Sequence, residues 1–535
     1  MGTIERKTIY VIIVLLICCI SGCQSTGNGH GAPDLGPTIG SMVDVVYPES
    51  ITVEGYGLVA GLRGTGSMEC PPQIRTYLIR YIMARLSEDT MSKAEELINS
   101  PNTAVVMIQA VVPIQDSKSE YFDVVVSALP GTQTTSLEGG WLFPSEMKIT
   151  GSFGITTDIL ADAQGPIFMD KIDDSGTDKK MGFILGGGKD LTDYKVVLVI
   201  KKPGFELTNL IRNRLNHRFG RDIARAVSPG RIEITIPTRY NESRRRFVSL
   251  IRALYLNETP EITRERINYH IERLALSPDN PQGEIALEAI GNQSLADLYS
   301  LLNAADERVR FRAARCMLSL GNNTGLETLR RIALDRGSDY RLEALDALTS
   351  SAMTQTAVAV AGELLKDNDI NIRVYAYEQL RKLNDVAIVG ESVGKNFFLE
   401  QIVRSERKTI YVTRCGQPRI VLFGAPIYCN QNVFVQSLDK EITINAPADQ
   451  RILSIIRAHP KREGVVARMK SSFDIGDIIR TLCTEPLTGD QEGRGGLGVS
   501  YADAIALLKQ MCEKGAVNAE FHAGPTPKIG INVKK

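Results

Sequence analysis

The sequence predicts a multidomain α+β protein in which a stack of paired helices stands between two β-containing segments. Three observations carry that expectation. Residues 44–258 alternate β-prone runs with amphipathic helices, residues 262–386 read as helix after helix with a fixed period, and strand-like runs return after residue 408 before the chain ends in helices. The composition is balanced, with 62 Lys plus Arg against 62 Asp plus Glu, so no global field favours nucleic acid or an acidic surface.

The chain opens with an export leader. Arg6 and Lys7 form a basic start, and residues 9–20 are an apolar run too short for a comfortable membrane span. The leader ends in Ser21-Gly22-Cys23, the pattern of a bacterial lipoprotein signal, so residues 1–22 are expected to be removed and Cys23 lipidated. An acyl chain would then anchor the protein in place of a transmembrane helix, and Gln24 favours the outer membrane. Residues 23–43 are rich in Gly, Ser, Pro and Asn and read as a flexible tether.

Five glycines follow in twelve positions, from Gly55 through Gly57, Gly61 and Gly64 to Gly66. The letters Gly55-x-Gly57-x-x-Ala60 fit a dinucleotide fingerprint, but that site needs a helix N-terminus directly after the glycines to hold a pyrophosphate. The stretch from Gly61 to Gly66 is a poor helix start, and Ser67-Met68 replaces the Lys-Ser or Lys-Thr of a phosphate loop. The glycines predict a tight backbone element without nucleotide chemistry.

Helical spacing of Ile74, Tyr77, Leu78, Tyr81 and Ile82 predicts a helix over 73–86, and residues 103–112 and 121–129 read as strands. A strand-helix-strand-strand module follows. It has strands at 194–201, 222–227 and 231–237, one helix presenting Leu207, Leu210, Ile211 and Leu215, and a second helix over 242–255 presenting Phe247, Leu250, Ile251 and Leu254. Such modules recur in proteins that polymerise into envelope rings; a monomeric α+β domain is the plain alternative.

In the helical stretch, Asp306-x-x-Val309-Arg310, Asp339-Tyr340-Arg341 and Asp369-x-x-Ile372-Arg373 each open an Ala- and Leu-rich helix, with the arginines 31 and 32 residues apart. The period predicts an inserted α-solenoid resembling HEAT-like repeats, with a degenerate fourth copy around residues 286–290. Its Asp and Arg residues are expected to tie neighbouring repeats together, and its curved surface suits a protein partner. Four short strands are expected near 408–413, 419–423, 432–435 and 441–444, then helices over 473–482 and 500–521.

Nothing in the sequence forms a reaction centre. The five histidines show no metal spacing, and no nucleophile elbow is present. Asp173, Asp174 and Asp190 beside Gly186-Gly187-Gly188 read as a solvated turn, and Arg244-Arg245-Arg246 as a run facing solvent or a neighbouring subunit. No catalytic residue, metal or cofactor is expected. Cys415 and Cys429 are the best disulfide candidates, on the view that a hairpin joins them, while Cys316 reads as a small buried hydrophobe.

The run Glu54-Gly55-Tyr56-Gly57-Leu58-Val59-Ala60-Gly61-Leu62-Arg63-Gly64-Thr65-Gly66 resembles the N-terminal signature of the flagellar basal-body P-ring protein family. Residues 123–129 with Ser136-Leu137-Glu138-Gly139-Gly140, and Ala161-Asp162-Ala163-Gln164-Gly165, are similar to further segments of that family. The ending, with Asp503-Ala504-Ile505-Ala506-Leu507-Leu508 and Lys514-Gly515-Ala516-Val517-Asn518-Ala519-Glu520, resembles the family's C-terminus. The resemblance implies a P-ring-like α/β domain over 44–258, HEAT-like repeats over 262–386 as an insertion, and a β-rich segment with P-ring-like helices over 408–535. It also implies a periplasmic homo-oligomeric ring around the flagellar rod, beside peptidoglycan and the L-ring, with no enzymatic turnover. The lipid anchor and the solenoid depart from that family, so a non-flagellar, outer-membrane-anchored ring or scaffold stands as the alternative.

Overall fold

The computed structural model describes residues 34–85, 91–114, 121–151, 158–172, 178–192, 195–277, 279–351, 354–394, 397–447, 451–458, 466–486 and 495–527. The leader, Cys23, the tether up to residue 33, Asp173 and Asp174 therefore lie outside the described residues.

A short helix α1 (Ile39–Met42) leads into β1 (Val43–Val46) and the long strand β2 (Ser50–Ala60), and helices α2 (Pro72–Arg85) and α3 (Met91–Ile98) follow. Strands β3 (Thr103–Pro113), β4 (Tyr121–Ala128), β5 (Trp141–Ile149), β6 (Ala161–Pro166) and β7 (Met181–Asp190) come next. Strands β2 to β7 close into a barrel of order β2-β3-β4-β7-β6-β5, all neighbours antiparallel. Alternate residues fill the interior, among them Val53, Val59, Val106, Ile108, Val124, Val126, Leu142, Met147 and Ile184. Helices α2 and α3 cover part of the outside, packing Ile74, Leu78 and Ile98 on Leu58 and Val105. This second contact explains why residues 103–106 are buried on both faces and read as an unbroken apolar run.

Strand β8 (Val196–Ile200), helix α4 (Phe205–Phe219), strands β9 (Ala224–Ser228) and β10 (Arg231–Ile234) and helix α5 (Arg244–Ala253) form the module expected from sequence. Strand β1 joins it, giving a sheet of order β1-β8-β10-β9. One face packs Val43, Val196, Leu198, Ile232 and Ile234 against Ile211, Leu215, Phe247 and Ile251 of the two helices. Leu210, expected on that face, is instead 42% exposed, because helix rotation gives the sheet positions 208, 211 and 215.

Helices α6 (Pro260–Leu276), α7 (Gln282–Ile290), α8 (Leu295–Leu301), α9 (Glu307–Ser319), α10 (Leu326–Leu334), α11 (Arg341–Thr349), α12 (Thr354–Leu364) and α13 (Ile370–Lys382) then run in succession. They pack around one core that includes Leu298, Phe311, Ala314, Leu329, Leu345, Ala361 and Tyr377. The repeated residues act as the geometry requires. Asp306 and Asp369 accept from the amides of Arg308 and Asn371 as helix caps, while Arg310 and Arg373 each reach the carbonyls five and six residues before them. Those bonds are local to each helix start; ties between helices further apart in sequence include Arg341 to Asp367 at 2.7 Å and Ser338 to Glu307.

The last segment holds more strands than its sequence predicts. Strands β11 (Val389–Val393), β12 (Phe397–Ile402), β13 (Thr409–Val412) and β14 (Arg419–Phe423) join β19 (Glu520–Ala523) in a sheet of order β11-β12-β14-β13-β19. Strands β15 (Val433–Gln436), β16 (Ile442–Ala446), β17 (Leu453–Ala458) and β18 (Val466–Ser471) make a separate antiparallel meander. Helices α14 (Ile475–Cys483) and α15 (Tyr501–Glu513) share a core with both sheets. Strands β13 and β14 are buried throughout, because Ile410, Val412, Ile420 and Leu422 face these helices while Tyr411, Val421 and Phe423 face the helical stack.

Candidate functional site

The glycine-rich run is one edge-to-edge seam of the barrel. Gly55 and Gly57 sit inside β2 where its pairing with β5 breaks register between Glu54 and Val59. A Cβ on Gly55 would lie 2.2 Å from the Glu146 carbonyl oxygen, and one on Gly57 would lie 2.4 Å from Ser145 Oγ. Between them Tyr56 points outward to the α2–α3 cover, where burial and then Glu54 raise its phenol pKa.

After Ala60 the chain turns through Gly61 (φ +83°), Arg63 (φ +46°) and Gly64 (φ +88°). Four amides here are spent inside the fold. Leu62 N donates to Asn102 O (3.0 Å), Thr65 N to Leu62 O (2.9 Å), Gly66 N to Pro101 O (3.0 Å) and Ser67 N to Thr103 O (2.9 Å). Thr65 Oγ1 donates to the carbonyls of Leu62 and Ser136, and Thr65 O accepts from Thr135 N. These four amides are not free to cradle a phosphate. A Cβ on Gly66 would meet Thr103 O at 2.0 Å. The run thus fastens the rim of the barrel.

Two buried polar joints hold other parts of the chain to this barrel region. At the first, Asp123 of β4 accepts from Gly186 N at 2.7 Å and from Gly416 N at 2.9 Å, so one carboxylate bridges β4, β7 and the β13–β14 turn. Burial raises the Asp123 pKa, and the amides of Gly416 and Gly186 pull against that rise. Around it, Asp170 pairs with Arg414 (2.9 Å), Lys171 bridges Glu138 (2.6 Å) and Asp503 (2.5 Å), and Lys509 donates to Ile172 O (2.8 Å). Phe168, Ile172 and Leu185 enter the C-terminal core beside these pairs. The end of the chain therefore returns to the barrel.

The second joint ties the sheet module to the helical stack. Arg246 donates to Glu284 (2.6 Å) and to Glu288, and Arg315 makes a two-pronged contact with Glu284 at 2.7 and 2.6 Å. Glu284 is fully buried; burial would raise its pKa, yet the Arg246 and Arg315 guanidiniums hold it at about 2. Nearby, Tyr255 Oη lies 2.9 Å from His270 Nε2, and burial, then Arg273 and Arg266, lowers the His270 pKa to about 4. The Arg244–Arg246 run, expected at the surface, is mostly internal: Arg244 reaches Ile114 O at 3.0 Å and only Arg245 of the three is exposed.

Other expectations also change. Gly186, Gly187 and Gly188 lie within β7, not in a solvated turn, and Phe122 fills the space over Gly188; Asp190 ends the strand and accepts from Thr192. Cys415 and Cys429 are both unbridged. Cys415 sits in the turn beside Gly416, and Cys429 lies past the far end of β14, whose five residues span about 17 Å. Cys316 is buried among helices, as expected of a small hydrophobe. Among the described residues no group of three or more His, Cys, Asp or Glu is placed to hold a metal ion, and no described helix is long and apolar enough to cross a membrane. Signals for both polar joints were present as Asp123 and the Arg run, but their partners lie 38 to 293 residues away.

Taken together, these elements define a multidomain α+β protein assembled around a closed barrel. Residues 38–269, the barrel with its sheet module, match the family model described as the flagellar P-ring protein. The chain is 28% identical to flagellar P-ring protein 1 of Photobacterium profundum over 245 residues, which is 43% of this chain and 62% of the relative. It is 26% identical to the flagellar P-ring protein of Thermotoga maritima over 211 residues (37% and 60%), and 28% identical to that of Helicobacter pylori strain P12 over 233 residues (42% and 63%). The chain thus spans about three fifths of the length of the curated relatives it matches. The family match ends midway along α6, so the C-terminal resemblance lies beyond it.

Proposed function

We propose that this protein is a structural subunit of the periplasmic P-ring of a bacterial flagellar basal body, or a close paralogue. It would assemble with its own copies into a bushing around the rod, next to the L-ring and peptidoglycan. The observation that carries this reading is the family match over the barrel and sheet module, with the glycine signature seated at the barrel rim. The division into residues 44–258, 262–386 and 408–535 belongs to this proposal, with the middle part a HEAT-like insertion that binds a partner protein. Lipidation at Cys23 and anchoring in the outer membrane complete it. Electron microscopy of purified basal bodies tests the reading: the subunit should occupy the ring around the rod, and its absence there would overturn it.

A second reading, a non-flagellar lipid-anchored envelope scaffold, is favoured by the helical stack and the C-terminal sheets, which extend well past the matched residues. Deletion separates the two. Loss of motility with missing filaments supports the bushing, whereas normal swimming with envelope defects supports the scaffold.

A further inference from the structure

The sheet module is the basic part of the chain. Residues 195–252 hold 14 Lys or Arg against four Asp or Glu, in a sequence whose totals are 62 and 62. Some of these cations turn inward: Arg214 pairs with Glu258, and Arg246 with Glu284 and Glu288. Others stand at one end of the sheet. Lys201 and Lys202 follow directly on β8, Arg231 opens β10 beside them, and all three are exposed. The same loop presents Phe205, the first residue of α4, which is 74% exposed. The loop is held in shape, with Gly204 N donating to Pro229 O (3.1 Å) and Thr208 Oγ1 to the same carbonyl (2.5 Å). Neighbouring acids pair loosely with the cations, Asp44 at 3.9 Å from Lys201 and Glu233 at 3.8 Å from Arg231, and Glu206 is exposed on α4.

This end of the sheet also receives the chain from its N-terminal side. Lys201 Nζ donates to Ser41 O (3.2 Å) and Lys201 N to Met42 O (3.0 Å), where α1 runs into β1 opposite β8. Upstream, Leu35 O accepts from Arg266 and Ile39 N donates to Leu254 O, so the chain is fixed to the fold from there on. Asp34 is 11 residues from Cys23, a stretch that spans at most about 40 Å when fully extended. An acyl group on Cys23 would keep this basic end close to the bilayer that holds it.

We propose that Lys201, Lys202 and Arg231, with Phe205 among them, dock on the anionic headgroups of the membrane that carries the Cys23 anchor. The inference rests on the lipidation reading above and not on ring assembly. Ammonium and guanidinium groups attract lipid phosphates across about a Debye length, roughly fivefold in affinity for each basic residue near the surface. The phenyl ring then enters the boundary between headgroups and acyl chains, where its apolar surface leaves water. A single protruding ring flanked by cations suits a fluid surface, which closes around it, better than a rigid partner, which needs a matching pocket. A basic surface is also the second signal that turns the reversible hold of an acyl chain into stable attachment.

The test uses the whole chain after its leader, residues 23–535, with Cys23→Ser so that no acyl group contributes. It is sedimented with vesicles of phosphatidylcholine alone or with about 30% phosphatidylglycerol. The protein should pellet with the anionic vesicles and not with the neutral ones, and binding should fall steeply as salt rises from about 50 to about 300 mM. That comparison requires no further variant. Lys201→Glu with Lys202→Glu should weaken binding roughly tenfold or more, and Phe205→Ser about fivefold. Arg330→Glu with Lys366→Glu, at exposed positions of the helical stack, changes the net charge equally and should leave binding as it was. Equal pelleting with neutral vesicles, no pelleting with either, or equal losses from the two pairs of reversals would overturn the proposal. So would a Lys201 and Lys202 reversal that altered self-association while vesicle binding held, since the surface would then belong to a second copy. Failure here is distinguishable from failure of the anchor, which is read separately by membrane fractionation of Cys23→Ala.

Discussion

Individual glycines in β2 and its turn are held for different reasons, and substitution separates them. Gly66→Ala would drive a methyl group into Thr103 O at 2.0 Å, a backbone atom that cannot yield without moving β3. Gly64→Ala meets open space and bears only the cost of a residue at φ +88°. Denaturant titration of the two variants should show a loss of about 3 kcal/mol for Gly66→Ala against about 1 kcal/mol for Gly64→Ala. Two buried titrating groups give a second test at this scale. Glu284 is depressed from 4.5 to about 2, so its stabilising contribution is complete above about pH 4.5 and is lost as pH falls through about 2. His270 is depressed from 6.5 to about 4; the unfolded chain binds its proton first, so stability falls as pH drops from 6.5 to about 4. Melting temperature against pH should therefore decline in two windows, and His270→Gln should flatten only the upper one.

Among elements, the polar joints decide how separately the parts behave. Arg373 is fully buried, holds the carbonyls of Asp367 and Asn368, and donates to Thr409 Oγ1 at 2.8 Å, so one side chain docks α13 on β13. Arg373→Ala would leave those acceptors unmet in a cavity and should cost about 3 kcal/mol. Hydrogen exchange should then accelerate at residues 409–412 while the barrel amides stay protected; unchanged exchange would refute the docking role. Removing Glu284 as Glu284→Leu takes the carboxylate from Arg315, leaves Arg246 with Glu288 alone and should cost about 3–5 kcal/mol, read as uncoupling of the sheet module from α7 and α9 in thermal unfolding.

For the whole molecule, the consequential feature is that the segment after the helical stack folds back on the barrel before it. Asp123, Asp170 and Lys171 of the barrel segment hold Gly416, Arg414 and Asp503, with the helical stack between them in sequence. Insertion of a helical domain is compatible with such closure, since the flanking parts remain in contact. Asp123→Ala should loosen this clasp, and limited proteolysis should then release the C-terminal segment faster from otherwise folded protein. If the clasp matters for ring building, the same variant should lower the yield of rings in basal-body preparations.

Much of this protein was set by local pattern alone. The helix at 205–219, the strands at 103–113 and 121–128, the helical stack with its period, and the capping Asp306 and Asp369 all follow from spacing that a few neighbouring residues enforce. The glycine run also declared itself locally, since its turn and missing helix start argued against a phosphate site. Only the tertiary structure decided that six strands close into a barrel, that four predicted C-terminal strands divide between two sheets, and that Arg246 is drawn into an internal ion pair and Cys429 lies apart from Cys415. The reason is physical: periodicity reports which face of an element is apolar, whereas closure, sheet membership and ion-pair partners depend on groups far away in sequence. The glycine-rich strand shows both sides, its flexibility written in its residues and its tight fit written in Ser145, Glu146 and Thr103 across the seam.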